Sequence, residues 1–474
     1  MSVIKFGTDG WRAVIAEEFT FDNVRVCAAA VARHFKHQMP PGGELVVGHD
    51  TRFGSREFAI AVVEVVTAAG IPAILLDGAI PTPVVSYTIV KQSAMGGVVI
   101  TASHNPGDWN GFKYKSQEGG SASPLLIENL ERHIEEIETD VKPLRLSLEE
   151  AESKGLLRRV DPRSSYISHL NDLVDVKSIR NAGLVIVADA MHGAGAGYFP
   201  ELLGGGSSCI TEIRGERNPA FPGMSQPEPV AHNLEPLFTS IKEQGAQVGL
   251  ALDGDADRIG ASDEDGRFIT PLQVFALLAL YFLEIRGERG PIVKSLTSTA
   301  MLYRLGELYQ VPIIETPIGF KHIGVAMLEH GALMGGEESG GYGFREHIPE
   351  RDGILSGLFL LDMMVKTGKS LSQLLQWLYQ IVGPHEYIRE DIPFSDSRRQ
   401  ELLRRLENVS PSQLAGFNVE GRDVTDGLRF SLTGGAWVVI RFSGTEPLLR
   451  IYAESESQEQ AGQLIKAIRV LAEV

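Results

Sequence analysis

The chain has 474 residues, too many for a single hydrophobic core, so we expect three or four domains. Hydrophobic residues make up 43% of the sequence and charged residues 22%, which is ordinary for a globular protein. The formal net charge of −17 argues against nucleic acid as the main partner, but exposed charges are screened beyond roughly 8 Å at physiological salt, so a local basic cluster can still bind an anion.

The two cysteines, Cys27 and Cys209, lie far apart and form no CxxC pair. We predict that both are buried thiols in a reducing compartment, and that they form neither a disulfide nor a metal site. The first residues lack a basic segment followed by an apolar one, which predicts no signal peptide. No apolar run reaches about 18 residues, which predicts no transmembrane helix. We therefore expect a cytoplasmic protein with no membrane partner and no nucleic-acid partner.

Residues 1–155 are expected to form a first α/β domain. Segment 55–70 places its apolar side chains on one face of a helix, and Gly70 supplies a stop. Short apolar runs before and after it predict buried strands in ELVVGHD, IPAILL and GGVVIT. Strands separated by helices of this length are typical of βαβ units with a parallel sheet.

The same alternation restarts twice along the chain. It predicts a second α/β domain over 156–268 and a third over 269–382, with a hairpin at Asp265-Gly266 between them. After IVGPHEY the pattern changes to consecutive antiparallel strands and a final helix, which predicts a smaller domain over 383–474. The predicted fold class is three similar α/β domains with mixed, largely parallel sheets, plus a C-terminal α+β domain.

Each α/β domain contains an apolar run that leads into a polar loop. We name these the serine loop (101–109), the aspartate loop (253–258) and the glutamate loop (336–341). Open α/β sheets bind ligands at the carboxyl ends of their parallel strands, so three such loops facing one another predict one central cleft. Their common placement indicates a weak internal repeat.

The aspartate loop reads DGDADR and carries Asp253, Asp255 and Asp257, which we name the aspartate trio. In a roughly extended loop these alternate residues point to one side, and three crowded carboxylates need a counter-ion. An all-oxygen set suits Mg²⁺. A calcium-binding EF-hand and a solvated acidic turn are the alternatives, although Arg258 stands where an EF-hand has glycine.

The serine loop places Ser103 beside His104 in a polar turn. No G-x-S-x-G elbow surrounds Ser103, as a hydrolase of that type would require. Without a separate base to activate it, Ser103 is better suited to carrying a phosphoryl group than to attacking an ester. An ordinary turn serine is the alternative interpretation.

Two other segments suggest contacts with a sugar phosphate. Residues 441–447, RFSGTEP, which we name the arginine loop, offer a guanidinium, two hydroxyls and a glycine, as a phosphate site does. A simple hairpin turn would also explain this stretch. In the glutamate loop, Glu337 and Ser339 are suited to hydrogen-bonding vicinal sugar hydroxyls.

Taken together, TASHNP, DGDADR, GEESGG and RFSGTEP resemble the four motifs of the α-D-phosphohexomutase family, in order and approximate spacing. This family includes phosphoglucomutase and phosphomannomutase, and the resemblance covers the whole chain. It implies four domains around a central cleft and an isomerase of carbohydrate metabolism that acts as an intramolecular phosphotransferase.

The resemblance also implies roles for individual residues. Ser103 matches the phosphorylated serine, and Mg²⁺ is expected to be bound by the aspartate trio and a phosphoserine oxygen. The expected catalytic residues are Ser103, Arg12, Lys113, Lys321 and His347. The expected substrate-binding residues are His104, Arg258, Glu337, Ser339, Arg441, Ser443, Gly444 and Thr445.

By this resemblance, phospho-Ser103 donates its phosphoryl group to a hexose monophosphate. A hexose 1,6-bisphosphate forms, turns over in the cleft and returns its other phosphoryl group, and we expect the domains to close on the substrate. Gly341 stands where phosphomannomutase-like and phosphoglucosamine mutase-like members often carry histidine, and the run 351–353 looks like the phosphoglucomutase version. We therefore expect glucose 1-phosphate and glucose 6-phosphate as substrates, with glucose 1,6-bisphosphate as activator and intermediate.

Several alternatives use the same scaffold: a phosphomannomutase or dual-specificity enzyme, a glucose 1,6-bisphosphate synthase, a phosphoglucosamine mutase and a phosphopentomutase. A sugar-phosphate sensor without activity is the non-enzyme alternative. The general acid/base is left open between Lys321, Lys113 and His347. The expected oligomeric state is a monomer or a weak homodimer.

Overall fold

The computed structural model describes residues 4–7, 9–38, 43–138, 142–394, 398–407, 409–442 and 448–474. Four sheets form among these residues, and the helices of the first three cover mixed, largely parallel sheets. The predicted fold class is thereby confirmed. No helix among the residues described combines the length and the apolar character needed to cross a membrane.

The first sheet has the strand order β1-β5-β4-β2-β3-β6. Its strands are β1 (Trp11–Val14), β2 (Leu45–His49), β3 (Ala73–Leu76), β4 (Gly96–Ile100), β5 (Trp109–Lys115) and β6 (Leu157–Val160). Its helices are α1 (Phe21–Gln38), α2 (Ser55–Ala68), α3 (Thr82–Lys91), α4 (Pro124–Glu138) and α5 (Leu148–Ser153). Strand β6 lies beyond the boundary predicted at residue 155, and it covers the backbone of β3, which would otherwise be an open edge.

Helix α2 illustrates why the sequence pattern holds in this domain. Its buried side chains include Phe58, Val62 and Val66, which recur at helical spacing against the sheet. Gly70, two residues after the helix, adopts a φ of 83°, in the left-handed region that disfavours other residues.

The second sheet has the order β11-β10-β9-β7-β8. Its elements are α6 (Arg163–Leu173), α7 (Val176–Arg180), β7 (Val185–Asp189), α8 (Tyr198–Leu203), β8 (Cys209–Ile213), α9 (Glu235–Gln244), β9 (Val248–Leu252), β10 (Ile259–Ser262) and β11 (Phe268–Ile269). Strands β10 and β11 form the predicted hairpin, and Gly266 lies at its turn with a φ of 74°. Cys27 is buried as predicted, but the prediction for Cys209 was wrong: it begins the edge strand β8 and is exposed.

The third sheet has the order β13-β12-β14-β15. Its elements are α10 (Pro271–Leu280), a π-helical turn (Tyr281–Ile285), β12 (Ile292–Ser295), α11 (Met301–Tyr309), β13 (Ile313–Thr316), α12 (Phe320–His330), β14 (Met334–Gly336), β15 (Tyr342–Phe344), α13 (Gly353–Thr367) and α14 (Leu371–Val382). Helices α10 and α13 contact strands of the second sheet, so these two domains share a hydrophobic core.

The fourth sheet is antiparallel throughout, with the order β16-β21-β20-β19-β18-β17. Its elements are β16 (Glu386–Pro393), α15 (Arg399–Glu407), β17 (Gln413–Leu414), β18 (Phe417–Asp423), β19 (Leu428–Leu432), β20 (Trp437–Phe442), β21 (Leu448–Ser455) and α16 (Gln458–Ala472). Helix α16 packs on the sheet through buried residues that include Leu464 and Ile468.

The first three sheets repeat one local arrangement. In each, a strand with a parallel neighbour (β4, β9 or β14) runs into its polar loop and returns as an antiparallel strand (β5, β10 or β15). The serine, aspartate and glutamate loops are therefore equivalent hairpin connections. This supports the internal repeat that the sequence indicated only weakly.

Candidate active site

Ser103 lies in the turn that follows β4 and is fully buried. Its backbone has a φ of 51°, in the left-handed region, and its N–H donates to Thr101 Oγ1 at 2.8 Å. Its hydroxyl donates to Asp253 Oδ2 at 2.9 Å, and His104 Nδ1 lies 3.4 Å from the same hydroxyl oxygen. The structure thus brings the serine loop into direct contact with the aspartate loop.

The aspartate loop is a tight turn and not the extended segment that we expected, because Ala256 adopts a φ of 58°. The turn still brings the side chains of the aspartate trio together. Each offers an oxygen within 4.8 Å of the others, and all three residues are buried. Gly254 permits this approach, since a Cβ there would lie 2.4 Å from Ser103 O. Within the part of the chain described, Asp255 Oδ1 and Asp257 Oδ1 accept no hydrogen bond.

Buried carboxylate oxygens without a donor are costly, and a divalent cation would satisfy them. The donor set is made of oxygens alone, as Mg²⁺ prefers. The residues present therefore fit the predicted metal ion, with the aspartate trio and Ser103 positioned to hold it.

Two basic side chains also neutralise this acidic cluster. Lys113 Nζ lies 2.9 Å from Asp255, 3.3 Å from Asp257 and 2.7 Å from Asp9. Arg351 Nη2 lies 2.7 Å from Asp257 and 2.6 Å from Asp9. Burial by itself would lower the pKa of Lys113, but the surrounding carboxylates raise it above its ordinary value, so this lysine stays charged.

The pKa values within the aspartate trio move in opposite directions. Burial and the charges of its two neighbours raise the pKa of Asp253 well above its ordinary value. Burial would raise the pKa of Asp255 too, but the charge of Lys113 and the hydrogen bond from Thr82 Oγ1 hold it below its usual range. Asp253 is thus the carboxylate whose charge is least compensated by the protein.

A cavity of about 500 Å³ adjoins this cluster, a volume within the range typical of small-molecule sites. Arg351, which pairs with Asp257, lines it, whereas Ser103 and the aspartate trio lie behind the lining. It is lined by residues of all four domains: Lys5, Phe6, Gly7, Asp9, Gly10, Trp11, Arg12, Ala13, Glu18, His104, Asn105, Trp109, Gln226, Glu228, Arg258, Ile318, Gly319, Phe320, Glu337, Glu338, Ser339, Arg351, Arg389, Asp391, Arg441, Leu448, Arg450. The predicted central cleft is present.

Several of the predicted residues line this cavity, among them Arg12, His104 and Arg258. Arg12 donates to Asn105 Oδ1 at 2.8 Å, and Arg258 donates to Glu228 at 3.0 Å. Burial and the nearby charge of Arg258 lower the pKa of His104 well below its ordinary value, so the imidazole beside Ser103 is neutral. Arg12 and Arg258 therefore line the cavity next to the serine loop.

The glutamate loop supplies the wall formed by the third domain. Glu337 Oε1 accepts from Gly319 N at 3.1 Å, and its other oxygen lies 3.4 Å from Arg351. Burial raises the pKa of Glu337 to about 7, although the positive charge of Arg351 acts to lower that pKa. Ser339 Oγ has no hydrogen-bond partner among the residues described. Both side chains can therefore bind hydroxyl groups of a ligand.

The fourth domain closes the cavity with three arginines. Arg441, on β20, lies 3.2 Å from Asp426, while Arg389 pairs with Asp391 at 2.6 Å. Arg450, on β21, lines the cavity beside them. Ser443, Gly444 and Thr445 of the arginine loop lie outside the described residues, and their predicted role stays a prediction.

The predicted catalytic roles of Lys321 and His347 stay predictions. Lys321 occupies the second position of α12, and neither it nor His347 is among the residues that line the cavity. His347 lies between domains, where its ring nitrogens contact His169 at 3.0 Å and Asp352 at 2.8 Å. The burial of an imidazole against the second domain explains why His347 does not reach the cleft.

Four residues that the structure brings to this site were not predicted from the sequence: Asp9, Arg351, Arg389 and Arg450. Asp9 lies three positions before Arg12, and Arg351 belongs to the run noted as typical of phosphoglucomutase. Their charges gave a signal, but their partners are remote in sequence: Arg351 and Asp9 are 342 positions apart.

Comparison with known protein families agrees with this geometry. The models of the phosphoglucomutase/phosphomannomutase family match along the chain: the alpha/beta/alpha domain I at residues 3–141, domain II at 164–266, domain III at 270–382 and the C-terminal domain at 400–470. The matched segments contain all four loops.

Individual relatives span the chain almost completely. A probable phosphoglucosamine mutase of Methanothermobacter thermautotrophicus is 32% identical, covering 96% of this chain and 95% of its own. A phosphoglucomutase/phosphomannomutase of Thermococcus kodakarensis is 30% identical, covering 99% and 98%. The crystal structure of a phosphomannomutase candidate from Thermus thermophilus is 35% identical with a TM-score of 0.86, covering 100% of both chains.

A buried serine beside an aspartate trio, in a cleft between four such domains, defines a class of sugar-phosphate phosphotransferases. The chain belongs to the phosphoglucomutase/phosphomannomutase family, also called the α-D-phosphohexomutases. It is accordingly an enzyme of the intramolecular phosphotransferase type.

Proposed function

We propose that the enzyme interconverts glucose 1-phosphate and glucose 6-phosphate through phosphorylated Ser103. The phosphoserine P–O bond breaks as the free hydroxyl of the sugar phosphate bonds to the same phosphorus, giving glucose 1,6-bisphosphate. After the bisphosphate reorients in the cleft, Ser103 Oγ bonds to the phosphorus of the other phosphate as the P–O bond to the sugar breaks, and the sugar oxygen takes up a proton to become the free hydroxyl of the product. The observation that carries the proposal is the 2.9 Å contact of Ser103 Oγ with Asp253, next to a cavity that His104 and several arginines line.

The charged groups of the site match the needs of phosphoryl transfer. This reaction passes through a loose transition state and depends on positioning and on neutralising charge. Lys113, Arg12 and Arg258 place positive charge around the serine loop. Mg²⁺ held by the aspartate trio would supply further electrostatic stabilisation of the transferring phosphoryl group.

The three arginines of the fourth domain are suited to hold the phosphate that does not react. Guanidinium groups bind phosphate with two parallel hydrogen bonds. Arg441, Arg389 and Arg450 line the same cavity as His104 and Arg12, which lie beside Ser103. A bisphosphate can thus have one phosphate at the serine and the other at these arginines.

Glu337 is suited to bind the sugar and to accept the proton of the attacking hydroxyl. A group with a pKa of about 7 can take up and release a proton near neutral pH. Lys113 stays charged among its carboxylates, and His347 lies outside the cavity, so neither offers a free base. The candidacy of Lys321 as general acid/base stays a prediction.

The preference for glucose is supported by the surroundings of Gly341. A Cβ at position 341 would lie 2.2 Å from Arg351 Cδ, so the arginine side chain fills the space next to this residue. Members that lean toward mannose or glucosamine often carry histidine there. In this chain, Arg351 brings a permanent charge to Glu337 and leaves no room for that imidazole.

A 2-amino sugar phosphate is the second candidate substrate. Glu338 lines the cavity next to Glu337, and its carboxylate accepts from Ser295 Oγ at 3.1 Å. A second carboxylate at this wall could bind the ammonium group of glucosamine phosphate. Relatives such as that of Methanothermobacter thermautotrophicus bear the name phosphoglucosamine mutase.

The test is parallel turnover of glucose, mannose, glucosamine and ribose 1-phosphates, with and without added glucose 1,6-bisphosphate. Glucose 1-phosphate is expected to give the highest kcat/KM. Ser103→Ala should abolish turnover, while Ser153→Ala, an exposed serine of the same domain, should leave it intact. Turnover by Ser103→Ala at the wild-type rate would exclude the phosphoserine mechanism.

A further inference from the structure

Arg52 lies in the loop after β2 and is fully buried, with no exposed surface. Its guanidinium donates to four main-chain carbonyls of the serine loop. Nη2 donates to Ser103 O and Asn105 O, each at 2.6 Å. Nη1 donates to Pro106 O at 2.6 Å and to Trp109 O at 3.0 Å. One side chain thus holds most of the turn that carries Ser103.

The guanidinium is itself fixed by its surroundings. Asp50 Oδ2 lies 3.2 Å from Arg52 Nε and balances its charge. The ring of Phe221, from the second domain, lies with its centroid 5.1 Å from Arg52 Cζ. Arg217, also of the second domain, donates to Arg52 O at 3.2 Å. The position of Arg52 therefore depends on both the first and the second domain.

This arrangement bears directly on the conformation of Ser103. The left-handed φ of 51° is unfavourable for serine and persists only where the surroundings impose it. The carbonyl of Ser103 is bound by Arg52 on one side and lies against Gly254 of the aspartate loop. The hydroxyl is thereby directed to Asp253.

We propose that Arg52 is a positioning residue for phosphoryl transfer: it fixes the serine loop so that Ser103 Oγ stays at the aspartate trio. Arg52 has no exposed surface and its guanidinium is bound to carbonyls of the serine loop, so it acts through the loop and not on the substrate. The proposal rests on the proposed role of Ser103 as the phosphorylated residue. Four carbonyls require the planar fork of a guanidinium, which the point charge of lysine cannot reproduce.

The test compares Arg52→Lys with wild type in three measurements. The kcat is expected to fall about 10- to 100-fold, because a small misplacement of a reacting group has effects of that size. The KM for glucose 1-phosphate should change by less than about threefold, since the substrate contacts lie on other residues. Hydrogen exchange should accelerate in a peptide covering 101–109 and not in one covering 253–258.

Arg214→Lys is the matched control. Arg214 is a largely buried arginine of the second domain that pairs with Asp189 and donates to Asn233 O, and it lies outside the cavity. Its replacement should leave kcat within about twofold of wild type. A similar fall in kcat for both variants would mean a general loss of stability and would overturn the proposal.

The outcomes also separate this proposal from the proposed function. If wild type acquires no phosphate on Ser103 after incubation with glucose 1,6-bisphosphate, the phosphoserine mechanism itself fails. If wild type is phosphorylated and Arg52→Lys retains full kcat, only the positioning role fails. Should Arg52→Lys not fold, Phe221→Leu decides: a lower kcat at unchanged KM supports the role of Arg52, and an unchanged kcat overturns it.

Discussion

Ser103 Oγ donates a hydrogen bond to Asp253 Oδ2 at 2.9 Å, although 150 positions separate the two residues. Ser103 lies in the loop that follows β4, and Asp253 lies in the loop that follows β9. The first two domains pack with these loops in contact, and Thr82 reinforces the contact through its bond to Asp255 at 2.6 Å. The relationship places the hydroxyl within reach of a metal ion held by the aspartate trio.

Removal of the metal ion is expected to abolish turnover. EDTA treatment should lower kcat at least about 100-fold, and Mg²⁺ should restore it, because the ion stabilises charge that the protein alone leaves uncompensated. Asp255→Asn should need more Mg²⁺ for half-maximal activity and lose the rise in Tm that Mg²⁺ gives wild type. Asp265→Asn, at an exposed turn residue, is the control and should titrate like wild type. Full activity in EDTA would contradict the prediction.

Loss of an arginine that we propose to bind phosphate should weaken the binding of both substrates alike. Arg389→Met is expected to raise the KM for glucose 1-phosphate and glucose 6-phosphate about 10-fold or more, because a hydrogen bond to a charged group contributes about 1.5–3 kcal/mol. Steady-state kinetics in both directions measures this effect. Arg267→Gln, whose side chain is exposed, should leave both KM values unchanged. An effect on one substrate only would argue against a shared phosphate site.

The carboxyl of Glu337 should make stability depend on pH. Its pKa is about 7 in the folded chain and its ordinary value is 4.5. The folded chain holds this proton more tightly, so the resulting stabilisation is complete below pH 4.5 and is lost as the pH rises through 7. Glu337→Gln removes the ionisable carboxyl and with it this dependence on pH. The variant should be more stable than wild type at pH 8, by on the order of 2–3 kcal/mol, but not at pH 4.5.

Differential scanning calorimetry at pH 4.5 and pH 8 tests this expectation. Glu307→Gln changes an exposed carboxyl on α11 and should show no such difference between the two pH values. A Glu337→Gln variant that is no more stable than wild type at pH 8 would mean that the carboxyl is ionised without penalty.

A single buried carboxylate should control how the fourth domain docks on the third. Glu454 accepts from Trp437 Nε1 at 2.7 Å, Thr299 Oγ1 at 2.6 Å and Ala300 N at 2.7 Å. In Glu454→Gln an NH₂ group replaces one of the two accepting oxygens, so at least one of these donors loses its acceptor. The free energy of unfolding should fall by about 1–3 kcal/mol. Calorimetry should then show the fourth domain of Glu454→Gln melting at a lower temperature than in wild type. Glu456→Gln, which changes an exposed residue, should melt like wild type.

Domain closure on the substrate can be measured on wild type and on Glu454→Gln. We expect small-angle scattering of wild type to change when glucose 1,6-bisphosphate is added, and Glu454→Gln to be more open without ligand. Superimposable curves with and without ligand would count against closure.

Much of this protein could be predicted from short stretches of sequence. The apolar periodicity of 55–70 and Gly70 specified α2, and the apolar runs before each polar loop specified β4, β9 and β14. The alternate spacing of the three carboxylates in the aspartate loop places them together in the folded turn, as it would have done in the extended loop that we expected. These features depend on residues within about one turn or one strand of each other, so a local pattern is sufficient to reveal them.

The tertiary structure alone decided which charges face one another. Asp9 and Arg351 meet because the first and third domains pack around one cleft, and His347 is drawn away from that cleft by His169 and Asp352. Arg52 holds the serine loop through hydrogen bonds to carbonyls that lie 51 to 57 positions away in the sequence. Buried charges and carbonyls must find partners wherever packing supplies them, and no local pattern records those partners.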